Sequence, residues 1–329
     1  MQVQKSFSDY YDSDEFINKT ENETISENGN YHIRHAVFSF HNQNTAIFID
    51  SDSKVLLETC SFYNNSSTEN GGSFCIMNSE CVLVQICCSF SSVIAEWKYG
   101  CAYYIYSENR NIYKNYALEC SVSQCSGYYD ILAHYYGDIK VSNLNSSYQE
   151  ITKYSGYCIG YPSVRGIINF TTVSNTSSSE EDVMYNTDGY SFDIIKCNFI
   201  NNQYTSTHFA FIGCGSSTNY SNCSFIENKA EERFFYGLPF FKNCYFHENT
   251  YVEFTGRSMD EPPVSIESGE PLDSLLTHYA DEGCISKLSE FKLDITLKVD
   301  KIDIENVINI AISIYKISFC QVLNVSLLK

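Results

Sequence analysis

Short alternations of apolar and polar residues, rather than helical stripes, run along this chain. Cys60 and Phe62 fall on one side of an extended segment and Ser61 and Tyr63 on the other; Val82, Val84 and Ile86 repeat the period of two, as do Phe209 and Phe211. Such runs, about four to six residues long and closed by Asn, Ser or Gly, predict many short strands with one buried face.

The strands are not independent of one another. Four times the chain writes Cys-x-Phe-x-x-Asn, as Cys60-Phe62-Asn65, Cys197-Phe199-Asn202, Cys223-Phe225-Asn228 and Cys244-Phe246-Asn249. Chance would supply that triplet roughly 0.1 times, so it is an internal repeat. Weaker copies on the same frame place first positions at 38, 60, 88, 120, 142, 168, 197, 223 and 244. A strand-rich unit of that length cannot cover its own inward face, and stacking units as successive turns of one chain does. The expected fold is all-β, a single-stranded parallel β-helix of about nine coils. Asn suits the corner where a strand ends, because it tolerates left-handed backbone angles, and stacked Asn residues would form amide ladders.

The Phe-x-x-Asn tetrads, with Gly71-Gly72-Ser73-Phe74 after the first of them, resemble the FxxN and GGA[ILV] motifs of the chlamydial polymorphic outer-membrane proteins and their protist counterparts. The resemblance covers about residues 35–250. It implies a right-handed, pectin-lyase-like solenoid and a role in adhesion or surface attachment. The family's C-terminal autotransporter barrel has no counterpart here.

The texture of the chain divides it further. Residues 1–30 are rich in Asp, Glu, Asn and Ser and read as an acidic leader or an N-terminal cap; 31–250 carry the repeats. Residues 251–272, with Glu261-Pro262-Pro263, Gly269 and Pro271, read as a linker. Residues 273–329 regain β-pattern, Phe291, Leu293, Ile295, Leu297 and Val299 alternating with polar neighbours, as extra coils or a cap.

A net charge of −19 and the lack of a basic stripe argue against a nucleic-acid partner. Met1-Gln2-Val3-Gln4-Lys5-Ser6 lacks the apolar run of a signal peptide, and no uninterrupted apolar stretch is long enough for a transmembrane helix. Location stays open between the cell surface, which the resemblance and several N-x-[ST] sequons favour, and the cytoplasm. Among 15 Cys there is no C-x-x-C pair with a nearby His, so neither a metal nor another cofactor is expected. The repeat cysteines read instead as buried thiols, small enough for a tight inward position.

Candidate chemistry is sparse. Asn186-Thr187-Asp188-Gly189 resembles the first carboxylate motif of the polygalacturonases, and Asp193 follows on a nearby strand, so a divergent polysaccharide hydrolase or lyase using Asp188 and Asp193 is the alternative reading. The partner acids of that family are missing from the next coil. The first reading is therefore a non-enzymatic repeat protein with a glycan or protein ligand, and an intracellular structural protein is a third. Tyr99, Tyr103, Tyr113, Tyr116, Tyr128 and Tyr135 form the candidate ligand surface, on loops projecting from longer coils, whereas Tyr104 and Tyr106 are expected to point into the core.

Overall fold

The structure, a computed structural model, describes residues 5–254 and 257–258, apart from 95–97, 108–111, 181, 187–190, 215–217 and 238. The expected linker and C-terminal segment therefore lie almost wholly outside the described residues.

The described chain is a right-handed parallel β-solenoid with four strands per coil. The first coil consists of β2 Tyr31–Arg34, β3 Val37–Ser39, β4 Asn42–Gln43 and β5 Ile47–Asp50, and seven further coils repeat all four strands. A partial coil with strands Phe240–Lys242 and Tyr245–His247 follows, so complete coils number one fewer than expected. Stacking yields four parallel sheets of eleven, nine, eight and eight strands, here the first to fourth faces in chain order.

Each residue of the strong repeat is tied to the coil before it. Register on the second face places Phe38, Phe62, Cys88, Val122, Ser146, Val173, Phe199, Phe225 and Phe246 in one inward row. Phe199, Phe225 and Phe246 stack nearly parallel, with centroids 4.8 and 4.7 Å apart. Two residues earlier, the Cys60 thiol donates to the Ile33 carbonyl at 3.4 Å, Cys223 to Ile194 at 3.4 Å and Cys244 to Tyr220 at 3.5 Å. A thiol is a weak donor small enough for this corner. Burial pushes the thiols of Cys60 and Cys120 up to about 12, so they stay protonated and unreactive.

Three residues after Phe, the Asn amide bridges backward as well. Asn202 Nδ2 donates to the Val173 carbonyl at 2.9 Å and Asn228 Nδ2 to Phe199 at 2.8 Å, while Asn228 Oδ1 accepts the Asn202 backbone N–H at 3.1 Å. The amides also link to one another, from Asn202 to Asn228 at 3.0 Å and from Asn228 to Asn249 at 2.9 Å. Left-handed backbone falls not on these Asn but on the residue before each: Asn64 (φ 51°), Asn201 (51°), Glu227 (54°) and Glu248 (50°). The turning residue faces solvent, and the next one is swung inward to satisfy the buried corner.

Four weak copies were framed wrongly. Backbone hydrogen bonds align the Cys row as Ala36, Cys60, Ile86, Cys120, Leu144, Thr171, Cys197, Cys223 and Cys244, replacing 38, 88, 142 and 168. In the central coils the aromatic has moved across the core. Where the second face offers only Cys88 or Ser146, the fourth face of the same coil supplies the fully buried Tyr103 or Tyr157. Large faces small, and the core stays filled.

That arrangement brings a histidine inside. His134 lies next to Tyr103, whose hydroxyl donates to its Nε2 at 2.9 Å, while its Nδ1 donates to Asn115 Oδ1 at 2.7 Å. Burial holds His134 down at about 3, so the folded protein keeps the neutral ring. A depressed histidine contributes stability that is complete above about pH 6.5 and is lost as pH falls toward 3. We expect about 1.4 kcal/mol lost per pH unit in that window. In urea melts at pH 7.0 and 5.0, His134→Asn should show a pH dependence shallower than the parent by about one proton; an unchanged difference would contradict a neutral buried ring.

The N-terminal residues are ordered on the side of the solenoid. Helix α1, Phe7–Tyr11, opens with a capping box from Ser6 and Asp9 and buries Phe7 and Tyr11 against Leu56 and Val82 on the outer side of the first face. The Tyr11 hydroxyl donates to the Val55 carbonyl at 2.5 Å. Strand β1, Ile17–Lys19, then pairs with β2 and closes the first coil, as a cap would.

Candidate functional site

Counting from the true Cys row, two positions of every coil face outward on the third face: the sixth and eighth residues beyond the row. They read Ser66/Thr68, Ser92/Ile94, Ser126/Tyr128, Glu150/Thr152 and Ser177/Ser179 in successive coils. Between them Ser67, Val93, Ile151 and Ser178 point inward and are buried. Three-residue sides allow only this alternation, so the surface is a flat strip of parallel rows.

In the middle of the strip lies an open groove of about 610 Å³, lined by Ser92, Ile94, Ser126, Tyr128, Glu150 and Ser177 among others. Gly127 also lines it, and a Cβ there would sit 1.7 Å from Cys101 Sγ, so glycine is needed at that position. Tyr128 is half-buried and forms one wall, its ring against Tyr129 at 5.3 Å and the Lys153 ammonium 5.8 Å from its centroid. Ile94, 76% exposed, continues that wall in the coil before. Hydroxyls make the floor, and among the described residues that line it Glu150 is the charged one. Such a lining offers hydrogen bonds in both directions and one flat apolar face.

Of the six tyrosines proposed as a ligand surface, the structure brings only Tyr128 to this groove. Tyr103 is fully buried and points into the core, so its assignment to the surface is corrected. The alternation is opposite to that expected: Tyr103 and Ile105 face in, while Tyr104 and Tyr106 face out with Tyr99 and Tyr135 in an aromatic layer over Cys75, Ala133 and Cys158. Tyr116 lies on the outer first face beside α1, bonded to Asp138 and Lys140, and Tyr113 donates to Asp52 at 2.9 Å.

Asp188 lies outside the described residues. Asp193 sits on the outer first face, where Arg165 pairs with it at 2.5 Å and Asn219 donates to it at 2.9 Å. Among the described residues no three His, Cys, Asp or Glu side chains are close enough to hold a metal ion, and no helix is long and apolar enough to cross a membrane. The chain matches none of the known family models, curated proteins or solved structures it was compared with.

Sequence reasoning missed Ser92, Ser126, Glu150 and Ser177. The signal was present: the residues one and three beyond the Asn position of the Cys-x-Phe-x-x-Asn frame are the two outward rows. Ser, Thr and Glu are also ordinary turn residues, so without the correct Cys row they carry no register.

Proposed function

We propose that this chain is a non-enzymatic β-solenoid that holds a glycan against its third face, as an adhesion or surface-attachment protein. The groove around Tyr128 carries this reading. Its hydroxyl floor, single aromatic wall and single carboxylate match the chemistry of a sugar, whose ring has hydroxyls at its edge and an apolar C–H face. A protein partner would want a broader apolar centre than Ile94 and Tyr128 supply. Adhesion is the role that the Phe-x-x-Asn resemblance brings, and a solenoid suits it by presenting one surface over many coils.

The test is a glycan array followed by calorimetric titration. Tyr128→Ala should weaken binding at least about tenfold, the worth of one stacked ring, while far-UV circular dichroism and the melting temperature stay unchanged. The glycan should be recovered intact after prolonged incubation. New reducing ends would favour the enzyme, and an array with no binding at all would remove the reading.

A further inference from the structure

The left-handed corner beside the third face carries an alternating pattern of large rings. In chain order its residues are Phe40, Asn64, Phe90, Gln124 and Tyr148, at φ of 61°, 51°, 54°, 54° and 54°. They occupy equivalent positions in five successive coils, immediately after the second-face strands. Asn is the residue that suits such a corner, and the later coils use it at Asn175 and Asn201. The first, third and fifth coils instead carry a large aromatic ring, where a bulky side chain at positive φ is unfavourable. Phe40 and Phe90 each pack edge-to-face with Tyr63 of the coil between them, centroids 6.0 and 5.3 Å apart, yet Phe40, Phe90 and Tyr148 remain 61%, 40% and 55% exposed.

The rings stand at intervals of two coils along the corner that borders the third face, outside the groove lining itself. Parallel strands lie about 4.8 Å apart, so alternate coils place a ring about every 10 Å along the axis. On the opposite edge stand Ile94 and Tyr128. Between the edges run Asn42, Ser66, Ser92, Ser126, Glu150 and Ser177, and of the outward positions across these six coils only Glu150 is charged. A strip whose one charged outward residue is Glu150, on a chain of net charge −19, disfavours anionic ligands.

We infer that the ligand is an extended, neutral, β-1,4-linked glycan lying along the solenoid axis, with every second sugar stacked on Phe90, Tyr148 or Phe40. In such a chain successive rings turn over, so alternate rings present the same face, and the two-sugar repeat is of the order of two coil spacings. An α-1,4-linked chain curls and cannot keep step with a straight row. This inference rests on the glycan-binding reading and adds the linkage, the direction and the contact row.

Titrations with cello-oligosaccharides of two to six sugars, against malto-oligosaccharides of equal length and oligogalacturonate, test it on the whole chain. Affinity for the cello series should rise about tenfold or more with length as further rings are engaged, while the malto and acidic series stay weak. The double variant Phe90→Ala/Tyr148→Ala should flatten the length dependence, with far-UV circular dichroism unaltered. Glycan binding abolished by Tyr128→Ala but indifferent to length, linkage or the double variant would overturn the axial chain and leave the glycan-binding function standing. No binding to any glycan overturns both.

Discussion

Asn228→Ala is expected to lower the unfolding free energy by about 3–5 kcal/mol, a large part of the stability of an ordinary domain. Asn228 is 1% exposed and its amide is fully engaged. Its Oδ1 accepts the backbone N–H of Asn202 at 3.1 Å and the Asn202 amide at 3.0 Å; its Nδ2 donates to the Phe199 carbonyl at 2.8 Å and to Asn249 at 2.9 Å. Alanine leaves a backbone donor and a backbone acceptor buried without partners, and it also cuts the amide ladder in the middle. Aspartate keeps the acceptor but loses the donor and buries a charge, so Asn228→Asp should cost at least as much. The neighbouring Asn201→Gly is the control. That residue is exposed with φ 51°, its amide bond to Asn175 is at the surface, and glycine accepts the angle freely, so stability should fall by less than about 1 kcal/mol. Urea melts followed by circular dichroism measure all three. A loss below about 1 kcal/mol for Asn228→Ala would mean that the ladder is not what joins these coils.

Gly72→Ala should be still more damaging, and no second substitution should rescue it. A Cβ at Gly72 would lie 1.9 Å from the Cys101 carbonyl oxygen and 2.9 Å from that of Ser92, both backbone atoms of the next coil. Rotamers cannot relieve such a clash, so the coil spacing itself must open and the ladder hydrogen bonds around it must break. The loss should exceed about 4 kcal/mol and show as insoluble or molten protein. Gly127→Ala meets the Cys101 side chain instead, 1.7 Å from Sγ and 2.8 Å from Cβ. Pairing it with Cys101→Gly removes the obstacle, so soluble yield and melting temperature should recover in part. Equal recovery of Gly72→Ala by Cys101→Gly would show that the side chain, not the carbonyl, sets the spacing there.

The strong triads were legible because each of their residues has its own contact with a neighbouring coil, a thiol or amide hydrogen bond or a ring stack, which confines that position to Cys, Phe or Asn. Register failed where those bonds are absent. Phe38 and Ala36, or Cys88 and Ile86, lie two apart and face the same way, so alternation alone cannot say which one occupies the Cys row. Tyr103 and Tyr104 failed differently. Both sides of the fourth-face strand are buried there, which erases the polar half of the pattern. The Gly-Gly-Ser-Phe signature has a second form that only stacking discloses: Gly100-Cys101-Ala102-Tyr103 lies in register with Gly71-Gly72-Ser73-Phe74, each first glycine at positive φ. The groove could not be read at all before the corrected row, because its lining is chemically ordinary.

The one-coil reach of the ladder bonds made by the repeated Cys and Asn residues also sets how the scaffold answers force. Tension along the axis loads the ladder between two neighbouring coils alone, so the structure should peel in steps rather than rupture at once. From Cys197 to Cys223 a coil is about 26 residues, which on straightening lengthens the tether by roughly 90 Å. An attachment protein built this way would act as a shock absorber, dissipating a pull in quanta while the remaining coils keep their hold.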